Sequence, residues 1–237
     1  MIYVVGIGPG SPETMTYEAM HAIEKSEVIV GYKTYINLIA DIIKDKEVVS
    51  NGMKQEIDRV KKAIEISKTG KTVAVISSGD AGVYGMAGLV LELADGEDVK
   101  IVSGVTASTS SAAVLGAPLM HDFCHISLSD LLTSIDLIYK RVELASEADF
   151  VICLYNPRSN GRPNYLENAF EIMKKYKSGS TPIGIVRNAG RGNQEVNICT
   201  LDTINYEIVD MVSIVIVGNN SSYIKDNKFI TQRGYHL

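Results

Sequence analysis

Short apolar runs alternate with longer stretches of helical periodicity along the first half of the chain. Ile2 to Ile7 is rich in β-branched residues and runs into glycines, which predicts a buried strand. Thr16 to Ser26 predicts a helix and Glu27 to Val30 a second strand. Lys54 to Lys68 predicts a longer helix with Ile57, Val60, Lys61 and Ile64 along one face. Thr72 to Ile76 is the next strand, and Gly82 to Ala94 a helix ended by Asp95-Gly96. Val99 to Val102 and Thr106 to Leu115 add another strand and a helix of small residues. This βαβα succession calls for a parallel sheet covered by helices.

Leu115-Gly116-Ala117-Pro118 interrupts the pattern and predicts a boundary between domains 1–117 and 118–237. Beyond it, strands are expected at Phe123 to Leu128, Asp149 to Leu154, Thr181 to Arg187, Glu195 to Cys199 and Val212 to Val217. Helices are expected at Ile135 to Ser146 and Tyr165 to Tyr176. The glycines of Gly190-Arg191-Gly192-Asn193 suggest a hairpin. The expected fold is two α/β domains, the first with a mainly parallel sheet and the second with a mixed one.

Composition narrows the partners. The chain has 237 residues, 46% hydrophobic and 22% charged, enough for a sizeable core. A net charge of -5 argues against a nucleic-acid partner, which would favour a basic face. Cys124, Cys153 and Cys199 are far apart and form no CxxC pair, which fits a reducing cytoplasm. No apolar run approaches the ~20 residues of a membrane span, and Met1 to Gly6 lacks the basic start of a secretory leader.

Two glycine turns carry the candidate chemistry. Gly6-Ile7-Gly8-Pro9-Gly10-Ser11 follows the first strand. A dinucleotide fingerprint would need glycine at 11 and an acidic residue after the second strand, where the chain has Val30-Gly31-Tyr32. The pattern alone leaves open a plain tight turn or a close ligand approach. Ser77-Ser78-Gly79-Asp80 follows a later strand, before Val83-Tyr84-Gly85. Asp80 there is either a ligand contact at the carboxyl end of a strand or a helix cap.

Taken together and in order, GxGPG, GDxxxYG and Gly104-Val105-Thr106-Ala107 resemble the tetrapyrrole methylases. Leu154-Tyr155-Asn156-Pro157, Val186-Arg187-Asn188-Ala189-Gly190 and Val217-Gly218-Asn219-Asn220-Ser221 extend the resemblance over nearly the whole chain. Gly31-Tyr32-Lys33-Thr34-Tyr35, Gly52-Met53-Lys54-Gln55-Glu56, His121-Asp122-Phe123, Ile126 to Thr133 and Tyr155 to Ser159 look like the branch that methylates C17 of a precorrin-3-type ring. The chain departs from that branch at Ser134-Ile135, where Pro-Trp is expected, and at Gln232, where proline is expected.

The resemblance implies an S-adenosylmethionine-dependent methyltransferase of cobalamin synthesis, usually a homodimer, with the donor in the cleft between the domains. It implies C17 methylation with contraction of the macrocycle. The donor contacts it implies are Pro9, Gly79, Asp80, Val83, Thr106, Ala107, Tyr155, Ala189 and Asn219. An electron-rich ring carbon needs no strong base, so positioning dominates. Proton handling during contraction points to His121, Ser127 and Asp130, with Asp122 and Ser129 beside them. Lys33, Arg158, Arg162 and Arg187, with Arg191, are the cations expected to meet the carboxylates of the tetrapyrrole. His121 and His125 invite a metal reading, but no remote ligand cluster completes a site, and no protein-bound metal is expected. Rival readings are a methylase for another ring position, a relative that methylates RNA or protein, a nicotinamide oxidoreductase, and a non-catalytic tetrapyrrole-binding module.

Overall fold

The computed structural model describes residues 1–52, 55–159, 161 and 163–235. The chain divides into two compact units, Met1–Ala107 and Ser108–Leu237. The division falls ten residues before the interruption at Gly116-Ala117-Pro118, at the first residue of a helix.

The first unit runs β1 (Ile2–Gly6), α1 (Tyr17–Lys25), β2 (Val28–Tyr32), α2 (Lys33–Leu38), β3 (Glu47–Asn51), α3 (Glu56–Ser67), β4 (Val73–Ser77), α4 (Ala87–Leu93) and β5 (Val99–Val102). Its sheet has the order β3-β2-β4-β1-β5, and every pairing is parallel. The strands are buried on both faces, so their side chains alternate between two cores. Ile2, Val4, Val73 and Val75 pack with Val60, Ala63 and Ile64 of α3 and Val90 of α4. Val5, Ala74 and Ile76 pack with Ala19, Ala22 and Ile23 of α1 and Ile36 of α2. Helices α1 and α4 therefore leave the adjacent strands β1 and β4 toward opposite faces. The carboxyl ends of strands at such a divergence are where ligands bind in open α/β sheets.

Two details of the first unit differ from the sequence reading. The buried face of α3 is Arg59, Val60, Ala63, Ile64 and Ser67, while Ile57 is 53% exposed and Lys61 is exposed. The helix expected from Gly82 begins only at Ala87, because residues 82 to 86 form the turn described below.

The second unit runs α5 (Ala107–Leu115), β6 (Gly116–Ala117), β7 (Phe123–Ser127), α6 (Ile135–Glu147), β8 (Val151–Tyr155), α7 (Tyr165–Met173), β9 (Pro182–Arg187), β10 (Glu195–Thr200), β11 (Ser213–Val217), β12 (Ser222–Lys225) and β13 (Lys228–Thr231). The main sheet is mixed, in the order β10-β9-β11-β8-β7. Strands β7 and β8 are parallel, and the other pairings are antiparallel, including the predicted hairpin of β9 and β10. A small sheet joins β12, β13 and β6. Ile138 and Val142 of α6 and Leu166, Phe170 and Met173 of α7 cover one face of the main sheet, over Ile152, Leu154, Ile183, Ile185, Val215 and Val217. Gly184 leaves room on the other face for Leu115, whose side chain would lie 2.3 Å from a Cβ there.

Candidate functional site

Three loops meet at the carboxyl end of the first unit's sheet, after β1, β4 and β5. Gly8 and Gly79 exchange both backbone hydrogen bonds, Gly8 N to Gly79 O at 3.0 Å and Gly79 N to Gly8 O at 2.9 Å. The chains approach too closely for side chains. A Cβ on Gly104 would sit 2.2 Å from the Gly79 carbonyl oxygen and 2.5 Å from that of Gly6. A Cβ on Gly6 would sit 2.7 Å from Gly79 O. Gly8 and Gly79 also take φ of 58° and 69°, the left-handed region that glycine enters at no steric cost. The glycines of both motifs thus pack backbone on backbone.

Asp80 holds this arrangement in place. Its Oδ1 accepts from the backbone amides of Gly82 at 2.7 Å and Val83 at 3.1 Å. Its Oδ2 accepts from the amide of Gly104 at 2.9 Å. Asp80 is therefore not the cap of α4, whose N-cap position is Met86. That helix is anchored by Ser77, whose Oγ accepts from the Met86 amide at 3.0 Å. Asp80 instead ties the β4 loop to the β5 loop. Between them Tyr84 is 55% exposed and has φ 54°, a left-handed conformation costly for a bulky side chain.

Pro9, Gly79, Asp80, Val83, Thr106 and Ala107 lie on these adjoining loops, with Pro9 and Gly79 buried and the other four half-buried. Pro9 follows Gly8, Val105 lies 3.7 Å from a Cβ on Gly8, and the Ala107 amide lies 3.7 Å from a Cβ on Gly79. Lys33 is exposed on a separate groove after β2.

In the second unit the motif asparagines have a local cause. Asn156 after β8 and Asn188 after β9 both take φ 51°, which asparagine tolerates better than other side chains. Tyr155 is buried, and its hydroxyl accepts from the Ser108 amide at 3.0 Å. The Ser108 Oγ lies 2.8 Å from His125 Nε2, and the His125 ring is 5.2 Å from the Tyr155 ring. Burial holds the His125 pKa below its ordinary 6.5. His125 was read only as half of a metal pair. The signal for its placement is the alternation of β7, which points it to the same face as Ser127, opposite Tyr155 in register.

The three residues expected to handle protons are not gathered in one place. His121 lies before β7, 46% exposed at its side chain, with Nδ1 accepting from the Asp122 amide at 2.8 Å. Ser127 Oγ accepts from Asn156 Nδ2 at 2.9 Å and from the Ser129 amide at 3.2 Å. Asp130 accepts from the Tyr165 hydroxyl at 2.8 Å and lies outside any helix, since α6 begins at Ile135. No cluster of three metal-ligating side chains occurs among the described residues.

The expected cations divide. Arg158 donates to the Tyr206 carbonyl at 2.6 Å and to Glu207 Oε1 at 2.9 Å. Arg187 donates through Nε to Asp210 at 2.7 Å and through Nη1 to Glu195 at 2.9 Å. Both guanidiniums are engaged by partners within the chain, bracing the sheet and its loops. Arg162 lies outside the described residues, as do Met53 and Lys54 of the Gly52 to Glu56 motif.

Asn219 also separates from its expected companions. Antiparallel pairing sets Val217 of β11 against Ile152 and Ile183, at the starts of β8 and β9. Asn219 therefore lies at the end of the sheet opposite Tyr155 and Ala189. Its Oδ1 accepts from Ser221 N and Ser222 Oγ, which makes it a turn-former. The buried Lys177 supports that turn, donating to Gly218 O at 3.0 Å and Phe150 O at 2.9 Å.

The comparisons agree with this architecture. The family model described as tetrapyrrole (corrin/porphyrin) methylases matches residues 1–205. A Salmonella typhimurium protein named probable cobalt-factor III C(17)-methyltransferase is 53% identical over 100% of both chains. A precorrin-3B C(17)-methyltransferase of a Sinorhizobium species is 38% identical over 94% of this chain and 90% of its own. The crystal structure of the methyltransferase CobJ superposes with a TM-score of 0.92 at 33% identity, covering 98% of this chain and 99% of that one. This chain belongs to the tetrapyrrole (corrin/porphyrin) methylases.

Proposed function

We propose that the chain is an S-adenosylmethionine-dependent C-methyltransferase of cobalamin synthesis that methylates C17 of a cobalt-bearing precorrin-3-type tetrapyrrole, with contraction of the ring. The observation that carries this reading is the 53% identity, end to end, with a relative named for C17 methylation of cobalt-factor III. The choice of a cobalt-bearing acceptor follows the same relative, since the one named for precorrin-3B is more distant, at 38%.

When bound, the donor supplies an electrophilic methyl on a sulfonium, and the acceptor ring supplies the electron pair. The chain's part is to bind and orient. Gly79, Asp80 and Val83 form the β4 loop that faces the donor, with Pro9 from the β1 loop and Thr106 and Ala107 after β5. Asp80 acts there by fixing the loop through its three amide hydrogen bonds. Holding reacting groups in a near-attack geometry is worth up to about 7–11 kcal/mol, so no strong base is required for the methyl step. Tyr155 and Ala189 contribute from the second unit.

On the acceptor side we assign Lys33 and, from the sequence pattern, Arg162. Ser127 and Asp130 remain candidates for proton handling during contraction. His125, neutral at pH 7 and hydrogen-bonded to Ser108, joins them. We read the enzyme as a cytoplasmic homodimer. Three free cysteines are consistent with a reducing compartment, and no helix among the described residues is long and apolar enough to cross a membrane.

The test is incubation of the purified chain with S-adenosylmethionine and cobalt-factor III. A mass gain of one methyl on the macrocycle, with release of the demethylated donor, supports the reading. Donor turnover without a methyl on the ring overturns it.

A further inference from the structure

A groove of about 730 Å³ opens at the carboxyl ends of β2 and β3. Lys33, Asn37 and Ser50 line it, with Tyr32, Asn51 and Gly52, and none of its lining residues is acidic. Behind the last three lies Arg59 of α3, only 4% exposed. Its Nε donates to Asn51 Oδ1 at 2.8 Å and its Nη2 to the Gly52 carbonyl at 2.9 Å. Its guanidinium carbon stands 6.0 Å from the centre of the Tyr32 ring. The remaining nitrogen, Nη1, lies 4.0 Å from the Met86 sulfur.

This is an unusual way to bury a charge. Buried cations are ordinarily paired with a carboxylate, because desolvation without a counter-charge is costly. Here the hydrogen bonds go to neutral acceptors, and among the described residues no ion pair involves Arg59. Glu56, one turn earlier on α3, is exposed and offsets the charge only in part, through space. A guanidinium stays protonated even when burial lowers its pKa, as burial does here. Its field therefore leaves the protein through Asn51, Gly52 and Tyr32, which are walls of the groove. Low-dielectric walls focus such a field on whatever binds there. Lys33 adds a second positive charge at the solvent side, and hydroxyl and amide donors fill the space between.

We infer that this groove is a carboxylate subsite that receives an acidic side arm of the acceptor, with Lys33 as the direct contact and Arg59 as the fixed charge behind the wall. The inference rests on the reading of the acceptor as a tetrapyrrole carboxylic acid and adds where one arm is held. Arg59 acts here as a positioning residue: it holds the Asn51-Gly52 turn and charges it, without touching the arm.

The experiment uses the full chain and an octacarboxylate porphyrin as probe, titrated by its visible absorbance at low and at physiological salt. Lys33→Met, a change on an exposed side chain, is expected to weaken binding about tenfold at low salt, the loss of one charge-assisted hydrogen bond. The difference should shrink as salt rises. Donor affinity by calorimetry should stay at the wild-type value, which separates an acceptor subsite from general damage. Equal porphyrin affinity of Lys33→Met and wild type, in a protein that still methylates its ring substrate, overturns this inference and leaves the proposed function standing. Wild-type protein that binds neither porphyrin nor ring substrate sinks the proposed function itself. Displacement of the porphyrin by millimolar inorganic phosphate in wild type, but not in Lys33→Met, would assign the groove to free phosphate and also overturn the inference.

Discussion

The Oδ2 of Asp80 accepts a hydrogen bond from the backbone amide of Gly104 at 2.9 Å, joining the loop after β4 to the loop after β5. The other carboxylate oxygen holds the amides of Gly82 and Val83. One side chain thus sets the shape of the surface proposed for the donor. Asp80→Ala should cost roughly 2 kcal/mol of stability by leaving amides without their acceptor. It should also weaken donor binding measured by calorimetry. Asp80→Asn keeps one acceptor oxygen and should fall between the two. Donor affinity unchanged in Asp80→Ala would remove the residue from the donor surface.

Gly104 tests the backbone contact itself. A Cβ at 104 would lie 2.2 Å from Gly79 O and 2.5 Å from Gly6 O, both backbone atoms with little room to move. Gly104→Ala should therefore destabilise the first unit by about 3 kcal/mol or more. Gly88→Ala is the control, since a Cβ there meets nothing within 4 Å and alanine favours the helix. A thermal melt of both variants reads the contrast.

Arg187 and Asp210 give a prediction about stability and pH. Burial pushes the Asp210 carboxyl up, but hydrogen bonds from Arg187, Ser213 and the Val212 amide outweigh it and leave the group below its ordinary 3.8. A lowered carboxyl pKa contributes stability at pH above 3.8, which is lost as the pH falls through the folded value. Both side chains are more than a third exposed, so solvent screening keeps the contribution of the pair small. Urea unfolding should show Asp210→Asn less stable than wild type at pH 7, with the gap narrowing as the pH falls below 3.8. Because its nitrogens are engaged, Arg187→Met should lower the melting temperature more than it raises KM for the acceptor. A large KM effect with no change in melting would return Arg187 to the substrate.

His125 acts in the same direction as Asp210, in a higher pH window. Its folded pKa lies below 6.5, so on acidification the unfolded chain takes up the proton first. The stability that goes with a neutral His125 is complete above pH 6.5 and lost progressively as the pH falls toward the folded value. His125→Gln keeps a partner for Ser108 without titrating. The variant should flatten the dependence of unfolding free energy on pH between 6.5 and the acid side. An unchanged slope would mean that His125 titrates as it does in the unfolded chain.

Much of this fold was legible in the chain. Runs such as Val73 to Ser77 and Val151 to Tyr155 are buried on both faces, and their short length between turn residues suits a strand. What escaped was short or half-exposed. Strand β3 shows only one half-buried apolar residue, Val49, and β6 is two residues long. The loops of the first unit were legible as glycine turns because glycine spacing is a local property. The helix expected from Gly82 starts late because Asp80 reaches back to Gly104, a partner 24 residues away. Asn219 follows a strand whose direction in the sheet the sequence does not state, and the pairs of Arg158 and Arg187 form across loops distant in the chain. His125 was visible as a residue on β7, but only the parallel register with β8 places it near Tyr155.

Transfer of a ¹³C-labelled methyl from S-adenosylmethionine to cobalt-factor III, followed by carbon NMR of the isolated product, tests the central claim most directly. The account predicts a single labelled methyl on C17 of a ring-contracted macrocycle. A label on any other ring carbon would contradict it.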